Sequence, residues 1–256
     1  MIQLKNKIKE NISMKKLLKS ILNKIGFDIV KLEKTNTTSS QASMTLSSNP
    51  YSQCSKNNQS IIDTEILSQI SLFIPGMVTQ ESGKFLYMLC YMQEVEGDVV
   101  EIGSWQGRST SFLARAVKES KNGQFYAVDH FRGNVGKENF YTVNGSLDNL
   151  KTNFENNINQ LGLSDIVTLL DMSNVEAAEI IKEKTIRFLF IDGDHTKEGV
   201  KKDIELFFPR LVKGSIVVFD DYFDGFPGLL EAIEDVFEEY NFSKFFSYRH
   251  TLVVKI

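Results

Sequence analysis

Ile186-Arg187-Phe188-Leu189-Phe190-Ile191-Asp192-Gly193-Asp194-His195 is the stretch on which the fold turns. An apolar, β-forming run ends there in acids and a histidine. The same design returns in Ser215-Ile216-Val217-Val218-Phe219-Asp220-Asp221. Buried strands of an open α/β sheet read as near-continuous apolar runs, because helices cover both faces. Ligands of such sheets sit beyond the carboxyl ends of the strands. Acids that follow two strands are therefore expected to share one crevice. Like charges repel and raise each other's pKa, so this convergence asks for a compensating positive charge. A divalent cation is the simplest one, and His195 beside it suits a general base.

From Asp98 onward, strand and helix patterns alternate. Strands are expected at 98–102, 124–129, 166–170, 186–192 and 214–220. Helical stretches lie between and after them at 108–119, 146–161, 174–183, 197–208 and 228–239. Two further helices, 61–73 and 80–94, precede them on either side of Pro75-Gly76. Such alternation means βαβ units with right-handed crossovers and a mainly parallel sheet. Phe242–Tyr248 and Thr251–Ile256 have no helix between them and predict an antiparallel hairpin at one end of the sheet. The expected fold is α/β: Rossmann-like and doubly wound, seven-stranded and mainly parallel, with a C-terminal antiparallel hairpin and N-terminal helices.

Three segments follow from composition. Residues 1–34 are rich in lysine, and Leu17, Leu18, Ile21, Leu22 and Ile25 keep a helical period, which predicts a basic amphipathic helix. It would pack on its own domain or a second subunit, or else meet a membrane surface or partner. Residues 35–60 are mostly Ser, Thr, Asn and Gln and read as a linker that cannot bury enough surface to offset chain entropy. Residues 61–256 form the expected folded domain. The net charge of −4 argues against a dedicated nucleic-acid binder. Cys54 and Cys90 make neither a metal spacing nor a disulfide framework, so a reducing, cytoplasmic setting is expected. No apolar stretch reaches the roughly 18 residues that span a bilayer.

The strand-one turn reads Glu101-Ile102-Gly103-Ser104-Trp105-Gln106-Gly107. Glycine there permits φ > 0 and close approach of backbone to a ligand. Its G-x-x-x-G spacing lacks the third glycine of a dinucleotide site, so a ligand with a ribose but no phosphate fits better. Glu101 would direct a carboxylate toward that ligand. The second strand ends in Asp129-His130, and an acid about 20 residues past the glycine turn is the usual partner of ribose hydroxyls. The third ends Leu170-Asp171-Met172-Ser173. Asp171 would receive a base amino group and Met172 would pack on the purine; equally, Asp171 or Ser173 would cap the next helix.

The run from Gly83-Lys84-Phe85-Leu86 through Glu101-x-Gly103, Asp129, Asp192 and Asp220-Asp221 resembles the class I S-adenosylmethionine-dependent methyltransferases. More narrowly it is similar to the cation-dependent O-methyltransferases, and within them to the branch acting on sugar hydroxyls. The likeness covers about residues 75–256. It implies that Glu101, Gly103, Ser104 and Gly107 hold the methionine end of S-adenosylmethionine, that Asp129 and His130 hold the ribose, and that Asp171 and Met172 hold the adenine. It implies metal ligands at Asp192, Asp220 and Asp221, with Asp192 counted among the cofactor contacts too. Catechol-type relatives have Lys three residues after the first metal Asp and Asn as the last ligand. His195 and Asp221 stand here instead, as in the sugar-methylating branch, where the His is the base.

Hard carboxylate oxygens suit Mg2+ or Mn2+, and zinc is disfavoured because no Cys or second His joins them. Asp194 reads as a cap for the helix after it, Asp224 as exposed, and Trp105 as either packing or a border of the acceptor pocket. The implied function is O-methyl transfer to a sugar or other small-molecule or glycan acceptor. The alternative is a non-catalytic methyltransferase-like module that docks biosynthetic enzymes.

Overall fold

A computed structural model describes residues 64–133, 147–240, 242 and 244–256. The basic segment 1–34, the linker 35–60 and residues 134–146 lie outside them. Two helices come first, α1 (Thr64–Phe73) and α2 (Gln80–Tyr91). The alternating part runs β1 (Asp98–Ile102), α3 (Arg108–Ser120), β2 (Phe125–Val128), α4 (Leu150–Gln160), β3 (Val167–Leu170), α5 (Asn174–Ile180), β4 (Ile186–Ile191) and α6 (Lys197–Phe207). A 3-10 turn, Phe208–Arg210, leads into β5 (Leu211–Phe219), α7 (Pro227–Glu239), β6 (Lys244–Tyr248) and β7 (Thr251–Lys255).

The strands form one seven-stranded sheet in the order β3-β2-β1-β4-β5-β7-β6. β3, β2, β1, β4 and β5 pair in parallel, and β7 runs antiparallel to β5 and β6. This is the expected Rossmann-like, doubly wound sheet with its C-terminal hairpin. Alternation along β1 divides the core. Val100 and Ile102 join Leu189, Ile191, Val217 and Phe219 in a cluster closed by Val200 and Ile204 of α6 and Leu229 and Ile233 of α7. Phe188 and Phe190, fully buried, belong to the opposite face of the sheet. Each such side chain stabilises the fold by about 1.5–3 kcal/mol relative to exposure. The order reverses between β1 and β4, so their carboxyl ends open a crevice.

Several boundaries differ from the sequence reading. β5 begins three residues early, because Gly214 (φ +93°) and a register shift in the β4 pairing absorb Leu211–Lys213 into the strand. α4 starts at Leu150, since Asn149 before it is left-handed (φ 64°). α5 stops at Ile180, where Ile181 caps it by donating its N–H to Ala177 O, and α2 stops at Tyr91, where Met92 caps it by donating to Met88 O. No described helix is long and apolar enough to cross a membrane.

Candidate active site

A cavity of about 700 Å3 opens at the carboxyl ends of β1, β2, β4 and β5. Its near wall is the strand-one turn. Gly103 has φ +85°, and a Cβ there would lie 2.1 Å from the carbonyl oxygen of Asp192, so only glycine lets the ends of β1 and β4 approach this closely. Asp192 N–H donates to Ile102 O at 2.9 Å and locks the same contact.

Asp129 shapes the turn from the other side. Its Oδ2 accepts the backbone N–H groups of Ser104 and Trp105, both at 2.9 Å, and its Oδ1 accepts that of Phe131 at 2.7 Å. Trp105 (φ 49°) and Phe131 (φ 56°) are left-handed, a conformation that costs an L-residue roughly 1–2 kcal/mol. The Asp129 carboxylate offsets that cost through bonds to an ionised acceptor. Gly103, Ser104, Trp105, Asp129, His130 and Phe131 all line the cavity. His130 Nδ1 accepts the N–H of Arg132 at 3.0 Å.

Glu101 and Gly107 do not line it. Gly107 (φ +88°) precedes α3 and faces Phe154 of α4. Glu101 is fully buried, accepts the Thr110 hydroxyl on Oε2, and has no hydrogen-bond partner on Oε1 among the described residues. Burial pushes its carboxyl up to about 7, against the hydroxyls of Ser109, Thr110 and Ser104, which favour the charge. A raised acid pKa means stability that is whole below about 4.5 and lost as pH rises through about 7. Without ligand, the wild-type protein should therefore lose about 2–3 kcal/mol relative to Glu101→Gln between pH 4.5 and pH 8. Denaturant unfolding at both pH values checks this; parallel pH profiles would refute it.

The far wall is acidic. One ligand atom from each of Asp192, His195 and Asp221 falls within 4.8 Å of the others. His195 Nε2 lies 3.7 Å from Asp192 Oδ1 and 3.5 Å from Asp221 Oδ2. Asp220 lines the same cavity. Burial, and then repulsion among these acids, holds the carboxyls of Asp192 and Asp220 well above the usual range. Asp221 is itself left-handed (φ 54°), and strain of this kind gathers at functional sites. The His195 ring packs on Phe226 at 4.4 Å between centroids. Gly228 allows the start of α7 to reach the His195 carbonyl, where a Cβ would come within 3.0 Å.

Asp194 Oδ1 accepts Thr196 N–H at 2.9 Å. The cap of α6 is Thr196, whose hydroxyl accepts Gly199 N–H at 3.1 Å, so neither Asp194 nor His195 fills that position. Asp224 is exposed as expected, and Trp105 borders the cavity.

Asp171 and Met172 stand apart. Lys151 holds the Asp171 carboxylate at 2.9 Å, and Met172 packs against the apolar core. Ser173 caps α5 in a reciprocal capping box with Glu176. The wall there is made by Ser173, Asn174, Val175, Gly193 and Asp203 instead. Asp203 escaped the sequence reading, although an acid inside the Val200, Ile204, Phe207 face of α6 is a visible irregularity. Arg108 was missed as well. It donates to the carbonyls of Ile74, Gly76 and Val78, at 2.6, 2.6 and 3.0 Å, and so fixes the loop that carries Met77 and Val78 to the cavity.

Residues 100–222 match the family model described as a methyltransferase domain. Among curated proteins, Uncharacterized protein R132 of Acanthamoeba polyphaga mimivirus is 29% identical over 160 residues, which is 60% of this chain and 65% of that protein. Two solved structures share the architecture. An O-methyltransferase from Bacillus cereus in complex with SAH has a TM-score of 0.56 and 18% identity, covering 75% of this chain and 91% of that one. CalS11, described as a TDP-rhamnose 3'-O-methyltransferase of calicheamicin biosynthesis, has a TM-score of 0.52 and 19% identity, covering 77% and 88%. The segment matching the methyltransferase domain runs from β1 to just past β5, and the fold built around it is that of the class I methyltransferases.

Proposed function

We propose that this protein transfers the methyl group of S-adenosylmethionine to a hydroxyl of a sugar or glycosylated small molecule, with help from a divalent cation. One observation carries the reading: the Asp129-clamped glycine turn and the acid cluster with His195 line a single cavity. The turn suits a ribose-bearing sulfonium cofactor. The cluster suits a hydroxyl that must lose its proton.

Buried acids whose charges oppose one another fit a hard divalent cation, and Asp192, Asp220 and Asp221 would hold it. When bound, such a cation lowers the pKa of an acceptor hydroxyl and fixes its position. S-adenosylmethionine brings the electrophilic methyl group. His195 accepts the hydroxyl proton at Nε2, and the Asp192 and Asp221 carboxylates on either side stabilise the imidazolium that forms. Phe226 holds the ring in place by packing on it. Asp129 keeps the turn closed and offers its one remaining lone-pair site to a ribose hydroxyl. The likeness of fold to CalS11 supports a sugar acceptor, as does the pairing of His195 with Asp221.

Methyl transfer from S-adenosylmethionine, with Mg2+ and a panel of nucleotide sugars, glycans and glycosylated natural products, tests the reading. A methylated sugar hydroxyl is the expected product. Methylation confined to catechols or other non-sugar acceptors would overturn the sugar assignment. Asp129→Ala should weaken S-adenosylhomocysteine about 10-fold or more by calorimetry, since the turn loses its acceptor and the ribose its partner. Unchanged affinity would remove Asp129 from the cofactor site.

A further inference from the structure

The loop that joins β5 to α7, residues 221–226, is tied to the tip of the C-terminal hairpin. Tyr222 N–H donates to His250 O at 2.6 Å, and the Phe223 ring packs on the His250 ring at 4.7 Å between centroids. Phe223 also lies against Gly225, where a Cβ would come within 2.3 Å of its ring, and it meets Phe226 edge to face at 5.2 Å. His250 belongs to the two-residue turn between β6 and β7. That turn is anchored on α2: Arg249 lies 3.7 Å from Glu81, and the neighbouring Tyr248 packs on Phe85 at 4.4 Å. One chain of contacts thus runs from α2 through the hairpin tip, Phe223 and Phe226 to the His195 ring. Phe223 is 39% exposed, so burial of apolar surface is only part of what this ring contributes.

We infer that Phe223 is a positioning residue for the proton transfer: clamped between His250 and Phe226, it fixes the loop whose two ends meet His195. This role rests on His195 being the base. Asp221 opens the loop and puts Oδ2 3.5 Å from His195 Nε2, while Phe226 closes it and packs on the imidazole at 4.4 Å. Connecting loops are ordinarily among the more mobile parts of a fold. Drift of this one would carry the acid and the ring away from the imidazole together, and a misplacement of about 1 Å can cost about 100-fold in rate. Two of its backbone bonds, Phe223 N–H to Asp221 O at 2.8 Å and Phe226 N–H to Phe223 O at 3.1 Å, lie within the loop and leave it able to move as a body. The left-handed Asp221 (φ 54°) adds a reason to relax. The contacts to His250 oppose that movement, because His250 leads into β7, which pairs with β5 in the sheet.

The chain has three histidines, so imidazole 1H–13C correlation spectra of the full chain carry three sets of signals, and His195→Ala identifies the one to follow. The Phe226 ring, 4.4 Å away, displaces the His195 signals by its ring current. In Phe223→Leu, at one fixed pH, they should move toward those of an unstructured histidine while the unfolding temperature stays close to wild type. Phe223→Tyr keeps the clamp and should restore their positions. His250→Ala withdraws the other side of the clamp and should move them in the same direction as Phe223→Leu. Turnover of a sugar that the wild-type protein methylates should fall about 10-fold in Phe223→Leu and recover in Phe223→Tyr, with KM for S-adenosylmethionine unchanged. His195 signals unmoved in either folded variant would overturn the inference, whichever reaction the protein catalyses. So would displaced signals with undiminished turnover. Near-normal turnover in His195→Ala would instead remove the base reading, and the positioning role of Phe223 with it.

Discussion

His195→Ala is expected to lower turnover by about 10²- to 10⁴-fold while leaving S-adenosylhomocysteine affinity close to that of the wild-type protein. The size follows from what a positioned general base contributes to proton transfer. The geometry supports the role from two directions. His195 Nε2 faces Asp192 and Asp221, and the ring is held by Phe226. Thr196 caps α6, so removing the imidazole does not unmake the helix start. Steady-state rates at saturating cofactor, with calorimetric titration of the same variant, separate chemistry from binding. Near-normal turnover would return His195 to a packing role beneath Phe226 and assign the proton to solvent.

Excess EDTA should abolish methyl transfer, and Mg2+ or Mn2+ should restore it. Asp221→Ala should lower the rate by about 10³-fold or more at fixed Mg2+, because polarising an acceptor oxygen is worth several kcal/mol of barrier. The motive is electrostatic. Burial first, and then the charge of Asp221 on both and of Asp192 on Asp220, holds Asp192 and Asp220 well above the usual carboxylate range, and each would gain from a cation placed among them. Asp221 adds a left-handed backbone that the turn retains despite its cost. Isothermal titration of the chain with Mn2+, with and without Asp221, reads the site independently of activity. Full activity in chelator would leave a metal-free enzyme relying on His195 alone. Unchanged Mn2+ affinity in the variant would move the ion elsewhere.

Much of this was legible along the chain. Apolar runs ending in Asp192 and in Asp220-Asp221 predicted buried strands, because only a sheet covered on both faces tolerates such continuous hydrophobicity. The lack of a helix between residues 242 and 256 predicted the antiparallel hairpin, since a parallel return needs a crossover. The glycines of the first turn were visible as points where backbone must approach something closely. What Gly103 approaches was not, because its neighbour is the Asp192 carbonyl of a strand far away in sequence.

Other features depend on distances that no local pattern encodes. Asp129 was expected to face a ribose; the fold also gives it three backbone N–H groups to hold. Asp171 looked equal to any acid at a strand end until the fold brought Lys151 to it. Asp203 drew no reading from the sequence and is buried against Asn174. Periodicity and turn chemistry are local, so the alternation of elements, the class of the sheet and the acid-bearing strand ends could be read along the chain. Folding alone chose which carboxylates gather beside His195 and which meet an amide, a lysine or a backbone turn. Those pairings are set by strand order and helix packing, which bring together residues 20 to 90 positions apart.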